Sequence, residues 1–291
     1  MKSMILWPEQ KLLHWLARYY YTGRGAIGDL GCFVGSSTLS LASGLAGRDD
    51  GLEAEGQIHS YDLFIAPDDP YTLQRLPERY RPGDRFRDHY DENIAPSRRW
   101  ITVHDGDLRG DPWDGGPIEI LFVDICKCWS TNGAVLKQFF PHLVPGHSIV
   151  VQQDFVRVWN PWIPVTMSAL EDFFEVLAEE ESSRIYRCRK TVPEEVAGRD
   201  FRKELSLQEK RALLERSIVA SPAHTAAIHR GALAMLVFME GDPSEARSIL
   251  DAATRDTAGD PVAQGVFDNL RGTMDYWKTG RAYESEMEDK F

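Results

Sequence analysis

Apolar positions along the chain fall into two kinds of pattern: short continuous runs, and stretches that repeat every three to four residues. Leu12, Leu13, Leu16 and Ala17 repeat at helical spacing, with Trp15 and Tyr19 as an aromatic edge, and predict a helix over Ile5–Tyr21. The run Ala26–Leu30 stops at Gly31, and Ser36–Ala42 then restarts with capping residues and helical spacing. That unit reads as strand, glycine turn, helix. Further strands are predicted at Gln57–Asp62, Trp100–His104, Ile118–Asp124, His147–Gln152 and Arg184–Arg189, and no seventh strand can be placed. Between them lie an arginine-rich loop and helix running to about Ala95, a helix over Gly133–Leu143 closed by Pro145-Gly146, and a helix over Val165–Ala178.

Strands alternating with helices, the central strands nearly all apolar, predict an α/β fold: a Rossmann-like, doubly wound, mostly parallel sheet with helices on both faces. Such sheets bind ligands at the carboxyl ends of their strands. In this sequence Asp29, Asp62, Asp107, Asp124 and Asp154 stand at or just beyond those ends. A buried carboxylate is costly without partners, so packing alone explains them poorly. Strand signals stop near residue 200. Gln208–Val219, Ala223–Glu240, Pro243–Thr254 and Pro261–Thr279 read as helices, with Gly241–Ala246 resembling the turn of a helical hairpin. The expected organisation is a cofactor-binding domain over 1–200 and an all-helical region over 201–291 that serves as a cap, a dimer surface or a partner surface.

Composition narrows the class. Hydrophobic residues make up 43% of the 291 and charged residues 27%, which excludes wholesale disorder. No apolar run reaches the roughly 18 residues of a membrane span, and the Met-Lys start lacks the pattern of a secretory signal, so a cytoplasmic protein without membrane partners is expected. With 33 basic and 45 acidic residues the formal charge is −12, which disfavours nucleic acid. The cluster Arg75, Arg79, Arg81, Arg85 and Arg87 is interleaved with Glu78, Asp84 and Asp88 and reads as a salt-bridged surface. Cys126 and Cys128 are too close for a zinc or disulfide pair, and with Cys32 and Cys188 they read as reduced, half-buried thiols.

The segment Asp29-Leu-Gly31-Cys-Phe33-Val-Gly35-Ser-Ser37-Thr carries the first chemical signal. Its glycines allow a sharp turn and a close backbone approach, and the following helix offers its N-terminus to a ligand. Phe33 stands where dinucleotide folds place a middle glycine. A purely structural turn explains the two glycines as well. Asp62 can accept both hydroxyls of a ribose, a role shared by nicotinamide and other nucleoside cofactors.

Together these residues resemble the class I S-adenosylmethionine-dependent methyltransferases, in particular the catechol and caffeoyl-coenzyme A O-methyltransferases and the macrocin-type sugar O-methyltransferases. Asp29–Thr38 is similar to the family's first motif, Asp62 to its ribose-binding acid and Asp105-Gly106-Asp107-Leu108 to its adenine segment. Asp124-Ile-Cys-Lys127 is similar to its Asp-x-x-Lys, and Pro145–Asp154 to its fifth-strand signature. The likeness covers about residues 25–155. It implies S-adenosyl-L-methionine held by Asp29, Gly31, Phe33, Gly35, Ser37, Asp62, Asp107 and Leu108, with Lys127 and Asp124 as catalytic residues. It also implies Mg2+ or another divalent metal on Asp124 and Asp154. Gln153 replaces a family acid there, which removes one charge from such a site. Lys127 reads equally as a solvated surface charge; an amine serves as base only where burial or a neighbouring cation lowers its pKa.

His104, His142 and His147 read as packing or hydrogen-bonding residues, and Trp113, Trp129, Trp159 and Trp162 as a pocket wall or as core. The expected activity is transfer of the S-adenosylmethionine methyl group to an oxygen of a small-molecule acceptor: a sugar, a phenol or another natural product. Self-association through the helical regions is a further expectation. Two other classes stay open. One is a degenerate cofactor fold that binds a partner through its helical tail. The other is a nicotinamide-dependent oxidoreductase, which Phe33 disfavours.

Overall fold

The computed structural model describes residues 3–52, 56–277 and 279–290, apart from the side chain of Asp289. Met1 and Lys2, on which the reading of the chain's start rests, and Lys278 of the fourth predicted tail helix lie outside the described residues. The strands are β1 (Ala26–Leu30), β2 (Ile58–Asp62), β3 (Ile101–Asp105), β4 (Ile118–Val123), β5 (Ile149–Gln152), β6 (Phe174–Glu180) and β7 (Ser183–Cys188). The helices before and between them are α1 (Trp7–Trp15), continued by a π-helical turn over Leu16–Tyr20, α2 (Ser36–Ala46), α3 (Pro70–Leu73), α4 (Arg87–Ile94), α5 (Trp129–Phe139) and α6 (Trp162–Ala169). The remainder are α7 (Glu194–Ala197), α8 (Phe201–Glu204), α9 (Leu207–Ala220), α10 (Ala223–Met239), α11 (Pro243–Asp256), α12 (Pro261–Trp277) and α13 (Gly280–Lys290).

The sheet runs β3-β2-β1-β4-β5-β7-β6. Strands β1 to β5 are parallel, β7 is antiparallel to β5, and β6 is antiparallel to β7. The expected fold class is the observed one. Its register has a simple basis: Ile101, Ile58, Ile27, Ile120 and Ile149 stand side by side across the five parallel strands. All five are buried and share one cluster with Leu13 and Leu16 near α1, Leu41 and Leu45 of α2, and Tyr90 and Ile94 of α4. Burying each aliphatic side chain contributes about 1.5–3 kcal/mol, and a one-residue slip would turn the whole row to the opposite face. On that other face Tyr61 of β2 meets Phe139 at the end of α5 edge-on, 5.5 Å between centroids.

The helix expected over Val165–Ala178 is corrected. Helix α6 ends at Ala169, and Phe174–Glu180 is strand β6, the seventh strand that could not be placed. Phe174, Leu177 and Ala178 suit helical spacing, but β7 buries Ile185 and Tyr186 and needs a partner on its outer edge. The two-residue turn Glu181-Ser182 supplies it, with Glu181 at φ 53°. Val176 and Leu177 on this edge strand remain exposed.

Two compact units make up the chain. One comprises Met1–Ile125, Gln138–Gln153 and Phe173–Glu194, the other Cys126–Lys137, Asp154–Asp172 and Glu195–Phe291. The division is not the single cut expected near residue 200, because segments after β4 and β5 join the helical unit. There α6 packs on α9, and the buried His229 of α10 bonds the Phe155 carbonyl at 2.9 Å and the Ser217 hydroxyl at 3.2 Å. The predicted tail helices correspond to α9–α12, and α13 follows them.

Candidate cofactor site

The turn after β1 is built around positions that ordinary side chains avoid. Gly31 has φ 89°, and a Cβ there would stand 2.4 Å from the Asp124 carbonyl oxygen. Glycine therefore lets the ends of β1 and β4 close on each other. Phe33 is also left-handed, at φ 45°. Its N–H donates to Asp62 Oδ2 at 2.9 Å, and its ring sits edge-on to Phe86 at 5.3 Å. A non-glycine residue in this conformation costs about 1–2 kcal/mol, which these two contacts offset. Gly35 donates its N–H to the Cys32 carbonyl at 2.8 Å and hands the chain to α2. The first N–H groups of α2, at Ser36 and Ser37, lack intrahelical partners and carry the positive end of the helix dipole.

Gly31, Phe33, Ser37 and Asp124 line one small hollow together with Met4 and Ile5. Asp62 reaches the same turn through Phe33. Its other oxygen accepts the Phe64 N–H at 2.8 Å, and its carbonyl accepts from Gly106 at 3.0 Å.

Asp29 differs. It is fully buried, and its Oδ2 accepts from the Thr38 hydroxyl at 2.5 Å. Burial raises its carboxyl pKa to about 6, against the opposing pull of the Thr38, Ser37 and Ser60 hydroxyls. It supports the turn from beneath and does not line the hollow. Asp107 caps the short turn Leu108–Gly110 by accepting the Arg109 N–H at 2.9 Å, and the Arg109 side chain beside it holds its carboxyl below the usual range. Leu108 is buried, and its carbonyl accepts from Gln138 at 3.0 Å. Asp105, rather than Asp107, lies in register with Asp62, and Arg85 and Arg87 neutralise it. Of the arginine cluster, Arg79, Arg85 and Arg87 form ion pairs, whereas the Arg81 side chain bonds backbone carbonyls and Arg75 lies over the Tyr71 ring. That two of its members reach Asp105 was visible only as a nearby excess of arginine.

Lys127 and Asp154 meet in the helical unit: Lys127 Nζ donates to Asp154 Oδ2 at 2.5 Å. Arg157 lies 3.3 Å from the other oxygen, and Asn160 also donates to Asp154 at 3.3 Å. Burial alone would raise the Asp154 carboxyl, but Lys127 and Arg157 hold it below the ordinary range. This donor set does not suit a divalent cation on Asp154, since two protein cations already take its oxygens. Among the described residues no three His, Cys, Asp or Glu side chains gather as a metal set. The Gln153 side chain donates to the Ser182 hydroxyl at 3.0 Å.

The remaining candidates fill structural roles. His147 bonds the buried Glu119 at 2.7 Å, at the amino end of the sheet. His104 stacks on Tyr61 at 3.9 Å and bonds Asp111 at 2.8 Å and His59 at 3.0 Å. His142 ends the short turn after α5. Trp162 is core, donating its indole N–H to the Cys126 carbonyl at 2.8 Å. Trp113 packs against His59 and Phe139. All four cysteines are free and buried.

Several O-methyltransferases are among the solved structures similar to this chain. The O-methyltransferase from Bacillus cereus in complex with SAH is 17% identical, with 64% of this chain and 82% of that chain covered and a TM-score of 0.45. A putative O-methyltransferase from Klebsiella pneumoniae is 16% identical over 65% and 84% of the two chains, with a TM-score of 0.46. The O-methyltransferase NovP is 12% identical over 65% and 83%, with a TM-score of 0.47. No protein-family model and no curated protein sequence matches the chain. The seven-stranded sheet, with antiparallel β7 between β5 and β6, is a Rossmann-like fold. In the dinucleotide-binding order, by contrast, the sixth strand directly follows the fifth. No helix among the described residues is long and apolar enough to cross a membrane.

Proposed function

We propose that this protein transfers the methyl group of S-adenosylmethionine to an oxygen of a small-molecule acceptor. The observation that carries the reading is the hydrogen bond from Phe33 N–H to Asp62, which ties the glycine turn after β1 to the acid ending β2. The turn takes the methionine end against the Gly31–Gly35 backbone and the start of α2, where Ser37 stands. Asp62 accepts the ribose hydroxyls. Asp107 and Leu108 border the adenine, and Asp29 supports the turn through Thr38. The sulfonium supplies an electrophilic methyl, so the protein's task is alignment and removal of the acceptor proton. Asp124 and Lys127 carry the acid–base role in this reading. Asp124 takes the acceptor's hydroxyl proton as its oxygen bonds the methyl carbon and the carbon–sulfur bond breaks, leaving S-adenosylhomocysteine. No step is assigned to a metal.

Isothermal titration with S-adenosylhomocysteine tests the reading. One site per chain is expected, and Asp62→Asn should weaken binding by about 10- to 100-fold, the effect of losing hydrogen bonds to a charged group. Thermal melting of the variant checks that the turn still folds. Absence of binding at millimolar S-adenosylhomocysteine overturns the proposal, and saturable binding of NADH in its place would favour an oxidoreductase.

A further inference from the structure

The helical unit contains a second candidate site that methyl transfer does not use. A cavity of about 270 Å³ is lined by the start of α5 and by the segment leading into α8. Its inner lining is buried: Trp129, Asn132 and Phe201 are 6%, 3% and 3% exposed. Asn132 donates its amide N–H to the Thr166 hydroxyl at 3.3 Å. Its amide oxygen accepts no hydrogen bond among the described residues and stays accessible to solvent. The rim is cationic. Lys137, Arg199, Arg202 and Lys203 line it against a single acid, Asp200, in a chain whose formal charge is −12. Arg202 is engaged by Glu284 and Glu288. Lys137 has no ion-pair partner among the described residues. Arg199 and Lys203 make solvent-exposed pairs with Glu204 and Asp200, the Arg199 guanidinium also lies over the Phe201 ring at 5.1 Å, and Lys210 lies over the Trp129 ring at 5.5 Å. Exposed pairs of that kind are weak and yield to a better placed anion.

The lining thus offers an open hydrogen-bond acceptor, aromatic side chains and exposed positive charge. We propose that this cavity binds a small hydroxylated ring bearing an anionic group. The hydroxyl donates to the Asn132 amide oxygen, the ring packs on Trp129 and Phe201, and the carboxylate or phosphate faces Lys137, Arg199 and Lys203. This concerns binding alone and does not depend on methyl transfer.

Titration calorimetry on the full chain, without S-adenosylhomocysteine, uses 4-hydroxybenzoate and 4-hydroxyphenyl phosphate as probes. Saturable binding of at least one is expected, and the tighter of the two assigns the anion as carboxylate or phosphate. Benzoate, which lacks the donor, and phenol, which lacks the charge, should each bind about tenfold more weakly. Lys137 is exposed, so Lys137→Glu leaves the fold intact; it should weaken the anionic probes about threefold or more and leave phenol unchanged, with Lys137→Arg restoring affinity. Asn132→Ala should erase the preference for 4-hydroxybenzoate over benzoate. Failure of both anions to saturate at millimolar concentration, or equal affinity in Lys137→Glu, overturns the proposal. Neither result bears on binding of S-adenosylhomocysteine.

Discussion

The turn after β1 and the loop after β5 are built from similar parts and come to opposite electrostatic ends. Each carries an aspartate near the end of a central strand, and each holds a non-glycine residue in the left-handed region, Phe33 at φ 45° and Asp154 at φ 61°. In the first, Asp29 is surrounded by hydroxyls and has no cation as partner among the described residues, so burial dominates and its carboxyl rises to about 6. In the second, Lys127 and Arg157 overcome burial and hold Asp154 low. Burial alone therefore does not fix the state of an acid at a strand end; the partner decides it. The same contrast separates their uses. The first turn presents the opening backbone N–H groups of α2, whereas in the second the carboxylate is held by its own cations.

The largest effect that would break this comparison lies at Gly31. Gly31→Ala combines a left-handed penalty with a Cβ placed 2.4 Å from the Asp124 carbonyl oxygen, a backbone atom that cannot swing away. Strain and overpacking together should cost about 3–4 kcal/mol and remove S-adenosylhomocysteine binding. Gly35→Ala sharpens the point. It shares the positive φ, but its nearest contacts are side-chain atoms of Ile94 and Tyr90 at 3.2–3.4 Å, so about 1–2 kcal/mol is expected. Denaturant unfolding of both variants measures the difference.

The next effect is a pH dependence. The Asp29 carboxyl, ordinarily near 3.8, is raised to about 6 in the fold, so between those values the folded state holds a proton that the unfolded chain has lost. Its contribution to stability is complete below pH 3.8 and is lost as pH rises through about 6, a change of about 2–3 kcal/mol. Asp29→Asn should remove that slope, so the variant gains on the parent between about pH 4 and pH 6. A parent whose melting temperature is flat over that range would show that the hydroxyls, rather than burial, govern Asp29.

Much of this first turn was legible from residue order. The apolar run Ala26–Leu30 ending at glycine, the hydroxyl residues opening α2 and the acid ending β2 each signal a local structure that tertiary contacts then confirm. What could not be read was which acids face outward: Asp29 pairs with Ser60, two residues before Asp62, and only the folded chain encloses Asp29 among the Thr38, Ser37 and Ser60 hydroxyls while Asp62 meets the N–H groups of Phe33 and Phe64. Strand β6 was hidden for a related reason. Phe174–Glu180 is rich in glutamate and spaced like a helix, and only pairing with β7 across the Glu181-Ser182 turn makes it extended. The Lys127–Asp154 pair spans 27 positions, so its two halves resembled separate functional residues until the chain brought them together.

The smallest effect belongs to that pair and carries the opposite sign to Asp29. Asp154→Asn keeps the shape and tolerates the left-handed backbone, since asparagine adopts it readily. The substitution leaves Lys127 and Arg157 beside a neutral amide. Their side chains are 31% and 52% exposed, so solvent screens much of the loss and a cost of about 1 kcal/mol is expected. Because the pair lowers the Asp154 carboxyl from its ordinary 3.8, its contribution is present above that value and disappears as the folded group protonates at lower pH. Melting curves over an acid series should therefore show the parent losing stability below about pH 4 more steeply than Asp154→Asn, whereas Asp29→Asn differs from the parent only at higher pH. If Asp154→Asn instead tracked the parent through the acid limb, the cations around Asp154 would be too well hydrated to hold it low, and the contrast between the two strand ends would reduce to burial alone.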